Sequence, residues 1–177
     1  MEKFLRLIIC LSCLPLSCQK LGLCKDKEFS FDRLDNTTGK LRLDGYYYSQ
    51  YFNDSTEELS IVCFLYENGI FEGNSSGPTE EVREGDVEID DSFSRNSAKT
   101  GWGVYKIEGD EIEIQFWLPT QLSCHAIQVE KGVIENDSTF IITSTYTTKD
   151  KDEQEVNSIF RFVPYSPKPD STNSFIQ

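Results

Sequence analysis

Histidine is almost missing from this chain. Its single copy, His125, would have to serve any reaction that needs an imidazole near neutral pH. A serine triad has no other candidate base, and no Gly-x-Ser-x-Gly elbow is present. Cys124 adjoins His125, but neighbours on an extended strand point to opposite faces, so they form no thiolate–imidazole pair there. The chain also lacks a phosphate-binding Gly-Lys loop and a dinucleotide fingerprint. One histidine and scattered cysteines give no zinc spacing. Asp86, Glu88, Asp90 and Asp91 cluster, but without the spacing and turn glycine of an EF-hand. They read as a solvated acidic loop, so neither metal nor cofactor is expected. Glu111 and Glu113 share a strand face about 7 Å apart. That is wider than the ~5–5.5 Å of a retaining glycosidase pair. No catalysis is expected.

Basic residues are scarce as well. Lys and Arg number 17 against 30 Asp and Glu, for a formal net charge of −13. Such a chain repels phosphate backbones, which excludes a nucleic-acid partner. Long apolar runs are absent too: the longest, Leu7 to Leu16, is about half the ~20 residues a spanning helix requires.

What that short run does have is context. Lys3 and Arg6 come before it, and it stops at Ser17-Cys18. A basic start, a short apolar stretch and a small residue describe an export signal. Leu16-Ser17-Cys18 resembles the lipobox of bacterial lipoproteins. The resemblance implies a signal peptide over residues 1–17 and lipidation of Cys18 with palmitate-type acyl chains. It also implies anchoring in the outer membrane of a cell envelope, with the periplasmic or surface face left open. Each buried methylene contributes ~0.8 kcal/mol, so two or more chains hold stably. Cys24, after Leu21-Gly22-Leu23, is the rival lipidation site. Export permits a disulfide, and Cys63 reads either as a buried free thiol or as a partner of Cys124.

Residues 18–42 read as a lipidated tether and lead-in. The body, 43–163, is patterned as strands. Tyr46–Phe52 is aromatic-rich, and Leu59–Tyr66 is apolar and β-branched. Asn68-Gly69 predicts a tight hairpin with both turn residues at positive φ. Trp102–Ile107 and Glu111–Phe116 form a second hairpin around Glu108-Gly109-Asp110. There Ile112, Ile114 and Phe116 share one face, and Glu111, Glu113 and Gln115 the other, wet one. Further strands are expected at His125–Glu130, Thr139–Thr147 and Ser158–Val163. Turns are expected at Lys131-Gly132, Asn136-Asp137-Ser138 and Lys149–Glu155. Residues 74–100 form a long acidic connection, with a short helix considered at Glu80–Arg83. The Pro-rich end, 164–177, reads as an extended tail.

About eight sequential strands without a long helix predict an all-β antiparallel up-and-down barrel, with a two-sheet sandwich as the alternative. Gly45-Tyr46-Tyr47 resembles the Gly-x-Trp start of lipocalins, with tyrosine in place of tryptophan. Arg161 resembles the lipocalin arginine that stacks over that first-strand aromatic. The likeness implies barrel closure by Tyr47 and Arg161. Eight strands can enclose one small ligand. Tyr47, Trp102 and Phe116 are therefore the expected ligand contacts, for a small apolar or amphipathic molecule. The alternative is an envelope protein partner docked on the aromatic face of the first strand, at Tyr48 and Tyr51.

Overall fold

The computed structural model describes residues 25–36, 38–52, 58–78, 82–83, 98–120 and 124–177. Eight strands follow one another: β1 Gly45–Phe52, β2 Glu58–Leu65, β3 Ile70–Pro78, β4 Trp102–Glu108, β5 Glu111–Pro119, β6 His125–Asn136, β7 Thr139–Thr147 and β8 Gln154–Pro164. Each pairs antiparallel with the next, and β8 returns to β1, so the sheet is a closed barrel. Tyr47 stands opposite Cys63 of β2 and Phe162 of β8. Closure on both sides of β1 excludes the sandwich and leaves no sheet edge to template aggregation.

Two turns explain two hairpins. Gly109 has φ 63° and leads the two-residue loop between β4 and β5, as a type II′ turn prefers. At Asn68-Gly69 only Gly69 takes a positive φ, 76°. The expectation that both residues do so is corrected. The loop is longer than two residues: Tyr66 N–H bonds the Ile70 carbonyl at 2.9 Å, and Gly69 N–H bonds that of Tyr66 at 3.0 Å.

The expected turn at Lys131-Gly132 does not exist. β6 runs straight through it, with a register shift against β7 between those two residues. A Cβ on Gly132 would lie 2.1 Å from the Ile141 carbonyl oxygen. Gly132 is therefore a point of close backbone approach at a bulge, which composition alone makes look like a turn. β3 likewise extends to Pro78 through Gly, Ser and Asn. Within the connection that follows, Val82 and Arg83 are helical.

The strands alternate between two apolar faces. The inward one joins Tyr47, Cys63, Leu65, Phe71, Tyr105, Ile112, Ile114, Phe140, Ile142 and Phe160. The charge of Glu130 on β6 bears on Cys63 of β2 although three strands lie between them on either side of the barrel. Only the interior of the barrel brings those strands face to face.

Toward one end this interior is packed solid. Phe140 stacks on Phe160 with centroids 4.8 Å apart, and Tyr47 meets Phe140 and Phe162 at 5.1 and 5.3 Å. Leu41 and Leu43 of the lead-in close it from below. The Tyr47 hydroxyl lies 3.0 Å from the Arg42 carbonyl and 3.1 Å from that of Asp137.

The outward face is not wet where expected. Gln115 and Trp117 are buried on it, and Glu111 alone on β5 is exposed among its outward residues short of Pro119. The lead-in covers them. Phe29 packs on Trp117 at 4.3 Å, and Trp117 Nε1 donates to the Lys27 carbonyl at 3.1 Å. Gln115 exchanges bonds with Ser30 at 2.8 and 2.5 Å. The tail is no free exit either. Tyr165 packs on Tyr46 at 5.6 Å, and Phe175 and Ile176 join the same outer cluster. Lys168 donates to the carbonyls of Leu43 and Leu65 and lies 4.6 Å from the Tyr66 ring centroid. Val82 from the long connection is fully buried there, and its carbonyl accepts the Tyr46 hydroxyl.

Candidate functional site

Polar residues enter the inward face at the upper end of the lumen, where β6 begins. Pairing sets Tyr105, Ile114, Glu130 and Thr145 side by side around the wall. One step higher stand Gly103, Phe116, Gln128 and Thr147. Small residues also stand on this face: Gly73 pairs with Cys63, Gly103 with Phe116 and Ala126 with Leu118, and the Phe71 ring fills the place a Gly73 side chain would take. Ile61, on the same inward face, is 42% exposed. An inward aliphatic with that exposure borders open space.

Glu130 is the chemical centre of this space. Surrounding protein desolvates its carboxyl and pushes its pKa up to about 7. Yet the residue keeps accessible surface and ranks as half-buried. Both hold when the accessible part borders an internal space. No group among the described residues donates to it, and no neighbouring charge adjusts it. No side-chain oxygen or nitrogen among the described residues is both sealed from solvent and without a partner. The Glu130 carboxylate therefore opens into the lumen. Beside it, Gln128 Nε2 donates to Thr145 Oγ1. Phe116 leans on Phe71 across β4, with centroids 5.3 Å apart. That contact exists because the intervening residue is Gly103, where a Cβ would lie 2.7 Å from that of Phe116.

The expected ligand contacts divide three ways. Phe116 is inward, half-buried and beside the Glu130 level. Tyr47 is inward but belongs to the packed floor, with its hydroxyl already engaged. Trp102 is not in the lumen. It is 2% exposed in the outer cluster, because alternation that turns Gly103 and Tyr105 inward turns Trp102 outward.

Arg161 does not close the barrel over Tyr47. It is exposed, pairs in register with Tyr48, and projects from the outer face. The cation at this seam is Arg42, whose guanidinium lies 4.3 Å from the Phe162 ring centroid.

Of the aromatic residues of β1, three are described. Tyr46, Tyr47 and Tyr48 are all buried, and the Tyr51 side chain lies outside the description. Cys18, Cys24 and the acids at 86, 88, 90 and 91 also lie outside the described residues.

The cysteines are settled in part. Cys63 is free and buried, and burial pushes its thiol well above the ordinary range. Cys124 is disulfide-bonded, so the Cys63–Cys124 bridge is not formed and Cys124 offers no thiolate. His125 Nδ1 lies 3.1 Å from Asp26 Oδ1, which also accepts the His125 backbone N–H at 2.8 Å. Lys99 completes the group, 2.8 Å from Asp26 Oδ2 and 3.9 Å from the Trp117 ring centroid. Burial works to raise the Asp26 pKa, but these bonds more than offset it and bring it down to about 2. The imidazole is thus tied to a structural clasp that pins the lead-in to the rim.

Sequence reasoning missed Glu130, and a signal was present. Ala126, Gln128 and Glu130 alternate with Ile127 and Val129. That alternation reads as a strand whose polar side meets water; here the polar side meets the lumen, and Ile127 and Val129 sit under the outer coat. No protein-family model, curated protein or solved structure matches this chain.

Proposed function

We propose that the protein is a lipid-anchored envelope binding protein that holds a small amphipathic ligand in the upper lumen of its barrel without chemical turnover. The observation that carries this reading is an inward carboxylate, that of Glu130, without a partner among the described residues, above a lumen whose lower half is packed solid. A cavity with an apolar wall and a few converging polar groups is the usual form of a small-molecule site. Phe116, Ile114 and Phe71 supply the apolar wall; Glu130, Gln128 and Thr145 supply the polar contacts. The basic start, the short apolar run and Leu16-Ser17-Cys18 support anchoring through Cys18 in an outer membrane.

Native mass spectrometry of protein purified from the membranes of its own host tests the binding. A bound small molecule in one-to-one ratio is expected, and Thr145→Trp, which fills the lumen, should expel it. Wild type that carries no such mass, and takes up no amphiphile when offered, sinks the reading. The anchor is tested separately: Cys18→Ser should leave the membrane fraction.

A further inference from the structure

The lumen holds one chemical imbalance. Glu130 brings an acidic group to a wall whose inward residues along the same pairing level are Tyr105, Ile114, Thr145 and Gln154, none of them a cation. No lysine or arginine of the eight strands shares the inward face among the described residues. Lys168, whose charge bears on Cys63, is committed to the carbonyls of Leu43 and Leu65. Among the described residues, the other titratable groups facing inward, Cys63, Tyr47 and Tyr105, are kept protonated by burial. They carry no charge to answer a carboxylate. A buried charge without a partner is costly. The molecule is moreover acidic throughout, with a net charge of −13, which concentrates cations at its openings.

We infer that the lumen selects amphipathic amines: an ammonium group paired with Glu130, with its apolar body against Phe116, Phe71 and Ile114. This rests on the lumen-binding reading above and narrows it to one ligand class. Gln128 and Thr145 bond each other beside the carboxylate, and each retains an oxygen able to accept from the same ammonium. A fatty acid would bring a second carboxylate to Glu130 and is disfavoured. An alcohol of equal length gains the apolar contacts alone.

Three octyl probes separate these cases by calorimetry on the full mature chain at pH 7.5: octylamine, octanol and octanoate. Octylamine is expected to bind at least about tenfold tighter than octanol, and octanoate more weakly than either. Glu130→Gln should level octylamine with octanol. If octanol binds wild type as tightly as octylamine, the amine selectivity is overturned and lumen binding stands. A preference for octylamine that survives Glu130→Gln assigns it to surface charge and overturns the inference. Absence of heat for all three removes the binding reading itself. A measurement on wild type alone guards against a variant that fails to fold. At pH 6, binding of octylamine should release a proton from Glu130, seen as a dependence of the heat on the buffer's ionisation enthalpy. Binding without that release overturns the inference.

Discussion

Replacing Glu130 by Gln should change how stability depends on pH, and the size and sign follow from the site. The carboxyl moves from an ordinary 4.5 to about 7 in the folded chain because burial disfavours its charge. Between those values the folded state holds a proton that the unfolded state has lost. Stability therefore falls as pH rises through this window. From pH 5 to 8 the loss is about 2–3 kcal/mol, at 1.36 kcal/mol for each pKa unit. Glu130→Gln removes the titrating group and keeps its shape. The variant should thus be close to wild type at pH 5 and the more stable of the two at pH 8. Urea unfolding at pH 5, 6, 7 and 8 measures this directly. A melting comparison should show a gap of roughly 5–10 °C opening at alkaline pH, at about 2–4 °C per kcal/mol. Other carboxylates cancel in the difference between the two proteins, Asp26 among them. A difference that stays constant from pH 5 to 8 would refute both the desolvation of Glu130 and its place in the lumen wall.

Phe140→Ala should destabilise the barrel by about 3–5 kcal/mol, read from urea midpoints, because a fully buried ring between Tyr47 and Phe160 is removed. Asp26→Asn should loosen the lead-in without unfolding the barrel. Faster hydrogen exchange at Lys27 and Ser30, with exchange in β7 unchanged, is the expected pattern, and equal exchange everywhere counts against the clasp. Cys63 should resist a thiol reagent in the folded protein and react at once in denaturant, since its sulfur is buried and its thiolate disfavoured. Rapid native labelling would place β2 in the wrong orientation.

Much of the barrel could be read from residue patterns because turn chemistry and alternation are local properties. Ile112, Ile114 and Phe116 declare one face by themselves, and Gly109 fixes a hairpin wherever the rest of the chain goes. Inside and outside are not local. On β5 the polar Gln115 is buried, because the lead-in covers it and Ser30 satisfies its amide. On β6 the acidic Glu130 faces the interior, because Ile127 and Val129 are taken by the outer coat. A pattern of alternating residues identifies two faces but does not label them. The label came from segments 25–36 and 165–177, whose composition reads as tether and tail. Trp102 and Arg161 were misplaced for the same reason: each stands one residue from an inward position. Gly132 shows the remaining ambiguity, since a glycine demanded by a neighbouring backbone has the same letter as one demanded by a turn.

The lead-in begins at the rim. Asp26 and Lys27 are bonded to His125, the first residue of β6, and the chain then descends to Leu41 at the closed floor. With acyl chains on Cys18, seven steps separate the anchor from Lys25, a reach of at most about 25 Å. On the proposed anchor, a leash that short, fastened beside the mouth, would hold the opening close to the bilayer surface. Lipid-dissolved amphiphiles would then pass from leaflet to lumen over a distance shorter than the barrel is long, without first dispersing into the surrounding water.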